Sequence, residues 1–189
     1  DLRATTGVGT MAREFVLRTA HHFNWVQLGA GDLTGTLVDL SESLNKESGL
    51  TDSEVKIYSN KGYGNPDILR RLLKVEKPDA ILIFTDPRFW IWLFEIEREV
   101  RSKIPIFYLN IWDNVPYPVY NRKYYESVDV LMAISKLTKN INKTVLGEKA
   151  VDKVIEYVPH GIDHNTFIPI IGDHPHVEVY QTFKEKLFK

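Results

Sequence analysis

The sequence predicts an α/β domain with a doubly wound, mainly parallel β-sheet, and two observations carry this prediction. Short apolar, β-rich runs alternate with longer amphipathic segments along most of the 189 residues. Runs such as Ala80–Phe84 are apolar without interruption, which is typical of strands buried on both faces of a parallel sheet. A chain of this length is long enough for one sizeable domain with a hydrophobic core.

The alternation divides the chain into strands and helices in turn. Because ligands of doubly wound sheets bind at the carboxyl ends of the strands, the residues just after each strand are the candidates for a site. Runs rich in β-branched and aromatic residues predict strands at residues 24–28, 55–58, 80–85, 104–110, 128–134 and 154–158. Amphipathic patterns predict helices at residues 10–21, 66–76, 89–101, 119–127 and 136–146.

The composition excludes several classes of function. The net charge of −1 gives no reason to expect nucleic acid or an anionic membrane as a partner. The absence of cysteine excludes disulfides, thiolate nucleophiles and cysteine-ligated metals, and it fits a reducing cytoplasm, which is the predicted location. The six histidines provide no convincing metal site. No signal peptide is visible, and no apolar run approaches the roughly 20 residues that span a bilayer. Because the chain begins at Asp1, within a turn-like stretch, we expect a first strand to precede it.

The first candidate site is the glycine-containing loop Thr5–Thr10, which leads into a predicted helix. Gly7 and Gly9 would let backbone N–H groups approach a ligand closely, and the N-terminus of a helix favours negative charge. A diphosphate or a phosphorylated acceptor would suit this loop, with Thr10 as a substrate-binding residue. The alternative is an ordinary glycine turn in which Thr10 is the N-cap of the helix, and a Gly-x-Gly spacing alone does not decide between the two.

The second candidate site is the segment Asn110–Pro118, which follows a predicted buried strand. Trp112 could stack on a sugar ring, and Asp113 could accept a proton from a hydroxyl group or hydrogen-bond to it. Asp113 is thus the catalytic candidate of this segment, and Trp112 and Asn114 are its substrate-binding candidates. The alternative is a structural Asx-type turn in which Trp112 is simply buried.

A third segment of note is the stretch Thr85–Phe94. Asp86 and Pro87 are predicted to begin a helix, with the aspartate as its cap and the proline at its first position. The apolar run that follows, Phe89–Phe94, predicts either burial or an exposed patch that contacts a partner protein.

The end of the last predicted strand is the most specific feature of the sequence. The stretch Val158–Asp163 (Val-Pro-His-Gly-Ile-Asp) stops an apolar strand at a proline, where a glycine permits a turn and Asp163 and Asn165 can bond their own backbone. The chain becomes linker-like from about Ile170 and then amphipathic over Val177–Phe188. We therefore predict one domain over residues 1–170, and a linker with the start of a second domain over residues 171–189.

Three segments of the chain together resemble parts of the GT-B glycosyltransferases of family 4. The stretch Gly7–Thr10 resembles the glycine loop that opens their first helix. Residues 129–138 contain Asp, Ser and Thr at the spacing D-x-x-x-x-x-S-x-x-T, which resembles their strand-to-helix segment. The stretch Val158–Asp163, with Phe167 and Pro169 after it, resembles the junction between their two domains.

The resemblance implies a Rossmann-like domain that forms one half of a GT-B architecture. In this family the N-terminal domain mainly holds the acceptor and the C-terminal domain mainly holds the nucleotide sugar. Gly7 and Gly9 would then lie near the diphosphate of the donor or an anionic group of the acceptor, and His160 and Gly161 would line the hinge side of the cleft. Where many members carry a histidine after the strand at residues 104–109, this chain has Trp112 and Asp113.

The same resemblance implies the reaction. The chain would be the acceptor half of an enzyme that moves a sugar from a nucleotide-diphosphate sugar to an acceptor glycan or small molecule, with retention of configuration. The nucleotide sugar is a co-substrate, and no cofactor or metal is expected. The basic pair and the E-x₇-E carboxylates of the donor site belong to the second domain, so this chain alone is expected to be inactive.

The residues themselves leave a second function open. A stand-alone α/β module that binds a sugar or a small anionic ligand without catalysis would show the same alternation, the same glycine loop and the same polar strand ends. A second Rossmann-like pattern after residue 189 would favour the enzyme over the binding module.

Overall fold

The structure is a computed structural model of the chain, and it describes residues 1–30 and 36–188. It divides into two compact units, Asp1–Val158 and Pro159–Lys189. The first unit has a Rossmann-like α/β fold, in which a four-stranded all-parallel sheet is flanked by helices. This confirms the predicted fold class, whereas the domain boundary predicted at residue 170 remains a prediction.

The elements of the first unit follow the predicted alternation within the described residues, but the strand Leu37–Asp39 and the helix Ser41–Ser48 were not predicted. The strands are β1 (Trp25–Gly29), β2 (Leu37–Asp39), β3 (Val55–Ser59), β4 (Ile81–Phe84), β5 (Ile106–Asn110), β6 (Val130–Ala133) and β7 (Val154–Tyr157). The helices are α1 (Gly7–Thr19), α2 (Ser41–Ser48), α3 (Pro66–Val75), α4 (Ile91–Glu95), α5 (Glu97–Arg101), α6 (Arg122–Glu126), α7 (Lys136–Leu146) and, in the second unit, α8 (Val177–Leu187). Short 3₁₀ turns cover Pro87–Trp90, Val119–Asn121 and Gly147–Ala150.

The strands of the described residues form two hydrogen-bonded sheets. The first has the order β1-β3-β2, with β1 parallel and β2 antiparallel to β3. The second has the order β4-β5-β6-β7, and all of its pairs are parallel. Parallel neighbours need a crossover connection, and helices supply it between β4 and β5, between β5 and β6, and between β6 and β7.

The main hydrophobic core lies on the second sheet. Ile106, Leu131 and the α7 residues Ile141 and Val145 are completely buried there. The buried residues of α7 recur at a spacing of three and four, which places them on one face of the helix. Each such aliphatic side chain stabilises the fold by roughly 1.5–3 kcal/mol through burial, so α7 is fixed firmly against the sheet that carries the second candidate segment.

The segment after β4 begins as the sequence predicts and then departs from it. Asp86 caps the turn by accepting the backbone N–H two residues on at 2.9 Å, and Pro87 occupies the first position. The predicted single helix is broken near residue 96 into α4 and α5. The apolar run is divided between core and surface, because Leu93 and Phe94 are buried while Ile91 is exposed.

Asp129 connects the start of β5 to α5. Its carboxylate accepts the backbone N–H of Ile106 at 2.8 Å and the guanidinium of Arg101 at 3.0 Å. Burial raises the pKa of the Asp129 carboxyl, but the bonds from Arg101 and Ile106 outweigh this effect and hold the pKa below its usual range. The aspartate of the family-like D-x-x-x-x-x-S-x-x-T segment therefore has a structural role.

We expect Asp129→Asn to lower the free energy of unfolding at neutral pH, and the difference from wild type to shrink as the pH falls. Because the pKa of Asp129 is lower in the folded than in the unfolded state, its stabilisation is present above the unfolded value of about 3.9 and is lost as the pH falls through the folded value. Urea unfolding at neutral pH and at about pH 3 measures both differences. The exposed Asp113→Asn is the matched control, with an expected change within about 0.5 kcal/mol. A destabilisation by Asp129→Asn that does not vary with pH would contradict this account.

Candidate functional site

The helix that follows the glycine loop is capped by Thr6, not by Thr10 as the structural alternative predicted. Helix α1 begins at Gly7, and its N-cap is Thr6, whose hydroxyl oxygen accepts the N–H of Gly9 at 3.1 Å. Thr10 lies in the first turn and donates its own N–H to the carbonyl of Thr6 at 2.8 Å. The alternative with Thr10 as N-cap is wrong, because Thr6 is the residue with an extended backbone and a side chain in reach of the third helical amide.

The two glycines of this loop differ in what they do for the fold. Gly9 is buried, and a Cβ at this position would lie 2.1 Å from the carbonyl oxygen of Ala4. Gly7 is exposed, and a Cβ there would have no atom within 4 Å. Gly9 is therefore required by the loop itself, whereas the open space at Gly7 is compatible with the close approach of a ligand.

The glycine loop lies at the carboxyl end of β1. The N–H of Leu2 donates to the side-chain oxygen of Gln27 at 2.9 Å, and a Cβ on Gly29 would lie 2.6 Å from the carboxylate of Asp1. Arg3 pairs with the same carboxylate at 2.7 Å. Since the first amides of a helix have no carbonyl partner within the helix, the exposed start of α1 offers N–H donors to an anion at this edge of the sheet.

The second candidate segment starts with an Asx turn, as the structural alternative proposed. The side-chain oxygen of Asn110 accepts the N–H of Trp112 at 3.0 Å. The indole N–H of Trp112 donates to the carbonyl of Asn114 at 3.0 Å, and the side-chain oxygen of Asn114 accepts the amide of Val115 at 2.8 Å. Trp112 is only partly buried and meets Tyr120 edge-on, with 6.0 Å between the ring centroids. Trp112 also packs against the main hydrophobic core, so its ring is partly exposed beside the turn.

Buried polar side chains fix this turn through hydrogen bonds to Asn110, its first residue. The side-chain N–H₂ of Asn110 donates to the hydroxyl of Tyr125 at 2.9 Å and to the amide oxygen of Asn142 at 2.5 Å. The hydroxyl of Tyr108 donates to the carbonyl of Thr85 at 2.7 Å. Burial raises the pKa of both phenols, so both remain neutral hydrogen-bonding groups.

The first turn of α7 also contacts this loop, through the side chain of Thr138. Ser135 is the N-cap of α7, and its hydroxyl oxygen accepts the N–H of Thr138 at 2.9 Å. The hydroxyl of Thr138, which is completely buried, bonds the carbonyl oxygen of Trp112 at 2.9 Å. The serine and the threonine of the family-like segment therefore cap a helix and fix the neighbouring loop. Sequence reasoning could have placed Thr138 and Asn142, since both fall on the buried face of α7 by helical spacing.

The predicted catalytic residue, Asp113, lies exposed on this loop. Within the described residues, no hydrogen bond or ion pair engages its carboxylate. Asn114 is also exposed, but its side chain is used locally in the turn. A free carboxylate beside an aromatic face can accept a hydrogen bond from a sugar hydroxyl, which is the chemistry predicted for it.

His160 and Gly161 belong to the second unit, and both are exposed. A Cβ on Gly161 would meet no atom within 4 Å, and its backbone is not in the left-handed region, so the turn does not depend on glycine. Asp163 holds the turn instead, because its carboxylate accepts the N–H of Asn165 at 3.0 Å and the hydroxyl of Thr166 at 3.0 Å. The predicted bonding of Asp163 to nearby backbone is confirmed.

The predicted site residues of the first unit form two groups. Gly7, Gly9 and Thr10 share the start of α1, and residues 112–114 share the loop after β5. No hydrogen bond, ion pair or ring contact joins the two groups in the part of the chain that the structure describes. The same residues contain no cluster of histidine and carboxylate side chains that could hold a metal ion. None of the helices in these residues has the length and apolar character that a membrane span needs.

Comparisons with protein-family models, with curated proteins and with solved structures found no match for this chain.

Proposed function

We propose that this chain is the acceptor-side domain of a GT-B glycosyltransferase that moves a sugar from a nucleotide-diphosphate sugar to an acceptor glycan or small molecule, with retention of configuration. The observation that supports this most is the exposed N-terminus of α1 at the carboxyl end of β1. There Gly7 leaves open space where a side chain would otherwise stand. Such a helix end binds phosphate groups through its free N–H groups and the positive end of its dipole.

In this proposal the loop after β5 receives the acceptor. The indole N–H of Trp112 is already donated to the carbonyl of Asn114, so Trp112 contacts the acceptor sugar through its ring rather than through a hydrogen bond. Asp113 accepts a hydrogen bond from the acceptor hydroxyl that attacks the donor sugar. The negative charge that develops on the leaving diphosphate is stabilised by the amides at the start of α1 and by basic side chains of the partner domain, and no metal is required.

The proposal assigns His160 and Gly161 to the hinge side of the cleft between this domain and the domain that binds the nucleotide sugar. It implies that the 189 residues alone do not transfer sugar, since the donor site lies outside them. It also places the reaction in the cytoplasm, where nucleotide sugars would be the co-substrates.

A binding module without catalysis is the second candidate function. The observation that favours it is the freely exposed carboxylate of Asp113, which no neighbouring side chain orients for proton transfer in the described part of the chain. Such a module would bind a sugar or a small anion at the same two places and turn nothing over.

The variant Gly7→Ala in the full-length gene product tests the proposed function. With a panel of UDP-, GDP- and ADP-sugars and simple sugar acceptors, we expect release of the nucleoside diphosphate by the unmodified protein. We expect the variant to raise KM for the donor, or the dissociation constant of an anionic acceptor, by about tenfold, because the new methyl group stands where a phosphate approaches the amides. The free energy of unfolding should not fall, since the methyl group meets open space.

Glu14→Gln, a change at an exposed position further along α1, is the matched control. It should change neither the affinity for donor or acceptor nor the free energy of unfolding. Unchanged affinities in Gly7→Ala would remove the glycine loop from the site. Tight binding of sugars or phosphate with no turnover by the full-length protein would favour the binding module.

A further inference from the structure

Three segments of the first unit are rich in aromatic residues. They are residues 60–65, 85–90 and 111–121, which connect β3 to α3, β4 to α4 and β5 to α6. Six of these 23 positions are aromatic, about twice the 12% share of the whole chain. The six are Tyr63, Phe89, Trp90, Trp112, Tyr117 and Tyr120. Each segment begins where a strand ends, and the carboxyl ends of strands are where ligands of such folds bind.

Ring contacts join the first two of these segments. The rings of Tyr63 and Phe89 stack with 4.4 Å between their centroids and 9° between their planes, and Tyr63 meets Trp90 edge-on at 5.3 Å. The indole N–H of Trp90 donates to the carbonyl of Phe84 at 3.0 Å, so Trp90 is fixed to the end of β4. The segments after β3 and β4 therefore lie together, and the ring of Phe89 is 47% exposed there.

The second and third segments are neighbours as well. Strands β4 and β5 pair in parallel, so the segments that follow them start side by side. The pKa of the Arg88 guanidinium is raised, mainly by its ion pair with Asp86 and in addition by the phenol of Tyr120, which therefore lies near Arg88. Tyr120 is 61% exposed and meets Trp112 of the second candidate segment edge-on. The three segments thus form one aromatic surface.

The aromatic surface also offers hydrogen-bonding groups between its exposed rings. Asp86 accepts the Nε and Nη2 groups of Arg88 at 2.9 and 2.5 Å, and the Arg88 side chain is 65% exposed. Within the described residues, the Nη1 group of Arg88 donates no hydrogen bond. Its N–H donors, and lone pairs of the Asp86 carboxylate, can therefore bond the hydroxyl groups of a ligand.

The charge of the aromatic surface indicates a neutral ligand. The three segments contain two basic side chains, Lys61 and Arg88, and two acidic ones, Asp86 and Asp113, so their formal charges cancel. Nucleic acid and anionic membranes require a basic surface, and the centre of a protein interface is depleted in charged residues. A neutral glycan fits better, because each sugar unit has an apolar ring face that stacks on an aromatic ring and hydroxyl groups that bond polar side chains.

We propose that the aromatic surface binds an acceptor oligosaccharide, with one sugar unit at Trp112 and further units on the exposed rings of Tyr120 and Phe89. The ion pair of Arg88 with Asp86 bonds hydroxyl groups of the units between these two rings. This proposal rests on the proposed function, and it narrows the acceptor from any glycan or small molecule to a glycan of several units.

The dependence of affinity on glycan length tests this proposal. The probes are linear manno-, cello- and malto-oligosaccharides of one to five units. Quenching of tryptophan fluorescence in the full-length protein gives their dissociation constants. In at least one series we expect the dissociation constant to fall by about tenfold or more from the monosaccharide to the tetrasaccharide, because each ring that a further unit reaches adds a stacking contact.

Variants of Phe89 separate stacking on its ring from a purely apolar contact. Phe89→Tyr keeps the ring and should keep the gain in affinity with glycan length. Phe89→Leu keeps an apolar side chain but no ring, and it should reduce this gain by about fivefold. The matched control is Phe23→Leu, the same change at a ring that is 58% exposed just before β1, and it should leave the gain unaltered.

The possible failures of this proposal and of the proposed function can be told apart. Sugar transfer with an affinity that does not rise with glycan length would overturn the oligosaccharide site and leave the proposed function in place. Neither binding nor transfer with any glycan would remove both. Retention of the full gain in Phe89→Leu, or an equal loss in Phe23→Leu, would show that the Phe89 ring does not carry the longer glycan.

Discussion

Replacement of Gly9 by alanine is expected to lower the free energy of unfolding by about 3 kcal/mol, because overpacking against rigid atoms is among the costly single changes. The new Cβ would lie 2.1 Å from the carbonyl oxygen of Ala4 and 2.8 Å from its carbonyl carbon. Both atoms belong to the backbone, so no side-chain rotation can relieve the contact. The loop must shift, and the shift weakens the bond between the Gly9 N–H and the Thr6 hydroxyl that caps α1.

Chemical unfolding of Gly9→Ala beside Gly7→Ala measures this effect, since the two changes add the same methyl group two residues apart. Gly7→Ala should be neutral or slightly stabilising, because its methyl group meets no atom within 4 Å and alanine favours a helix. Equal stability of the two variants would show that the backbone of Ala4 leaves room for a side chain at residue 9. Ligand binding would then be the one role left for both glycines.

Asn110→Ala is expected to lower the free energy of unfolding by about 3 kcal/mol and to loosen the loop after β5. The change leaves the hydroxyl of Tyr125, the amide oxygen of Asn142 and the N–H of Trp112 without the partner that each has in the folded chain. Buried polar groups that lose a partner carry a desolvation cost of roughly 1–3 kcal/mol each, and the three are coupled, so the costs are not simply additive.

Urea unfolding gives the stability change, and hydrogen exchange at the amide of Trp112 reports the loosening of the loop. Asn114→Ala, an exposed change in the same loop, is the control and should cost less than about 1 kcal/mol. In a double-mutant cycle with Tyr125→Phe, the combined change should cost less than the sum of the single changes. Strict additivity, or a Trp112 amide that exchanges as slowly as in the wild type, would show that Asn110 does not anchor the loop.

Hydrophobic pattern was sufficient to place the strongly periodic elements. Helix α7 was predicted with its observed bounds, because its apolar residues recur at helical spacing and Ser135 marks its start. Helix α2 was missed because Leu44 is its single buried residue, so the segment has no apolar stripe to recognise. Strand β2 was missed because three residues, Leu37–Asp39, are too few to show alternation.

The two candidate loops were predicted from the sequence, but the side chains that fix their conformation by hydrogen bonds were not. Thr6 and Thr10 flank the same glycines, and only the backbone conformation shows which of them caps α1. The partners of Asn110 lie 15 and 32 residues away along the chain, a separation at which local patterns carry no information. The separation of the strands into two sheets was equally invisible, because hydrogen-bonding order depends on which strands meet in space rather than on their spacing in sequence.

The bond from the hydroxyl of Thr138 to the carbonyl of Trp112 has a further consequence for recognition. With Asn110 bonded to its N–H and Asn114 to its indole, the tryptophan is held at backbone and ring before any ligand arrives. A ligand that stacks on this ring therefore avoids most of the conformational entropy loss of fixing a mobile side chain, about 0.5–1.5 kcal/mol. The loop is preorganised, and it would select ligands by a shape fixed in advance rather than by closing around them.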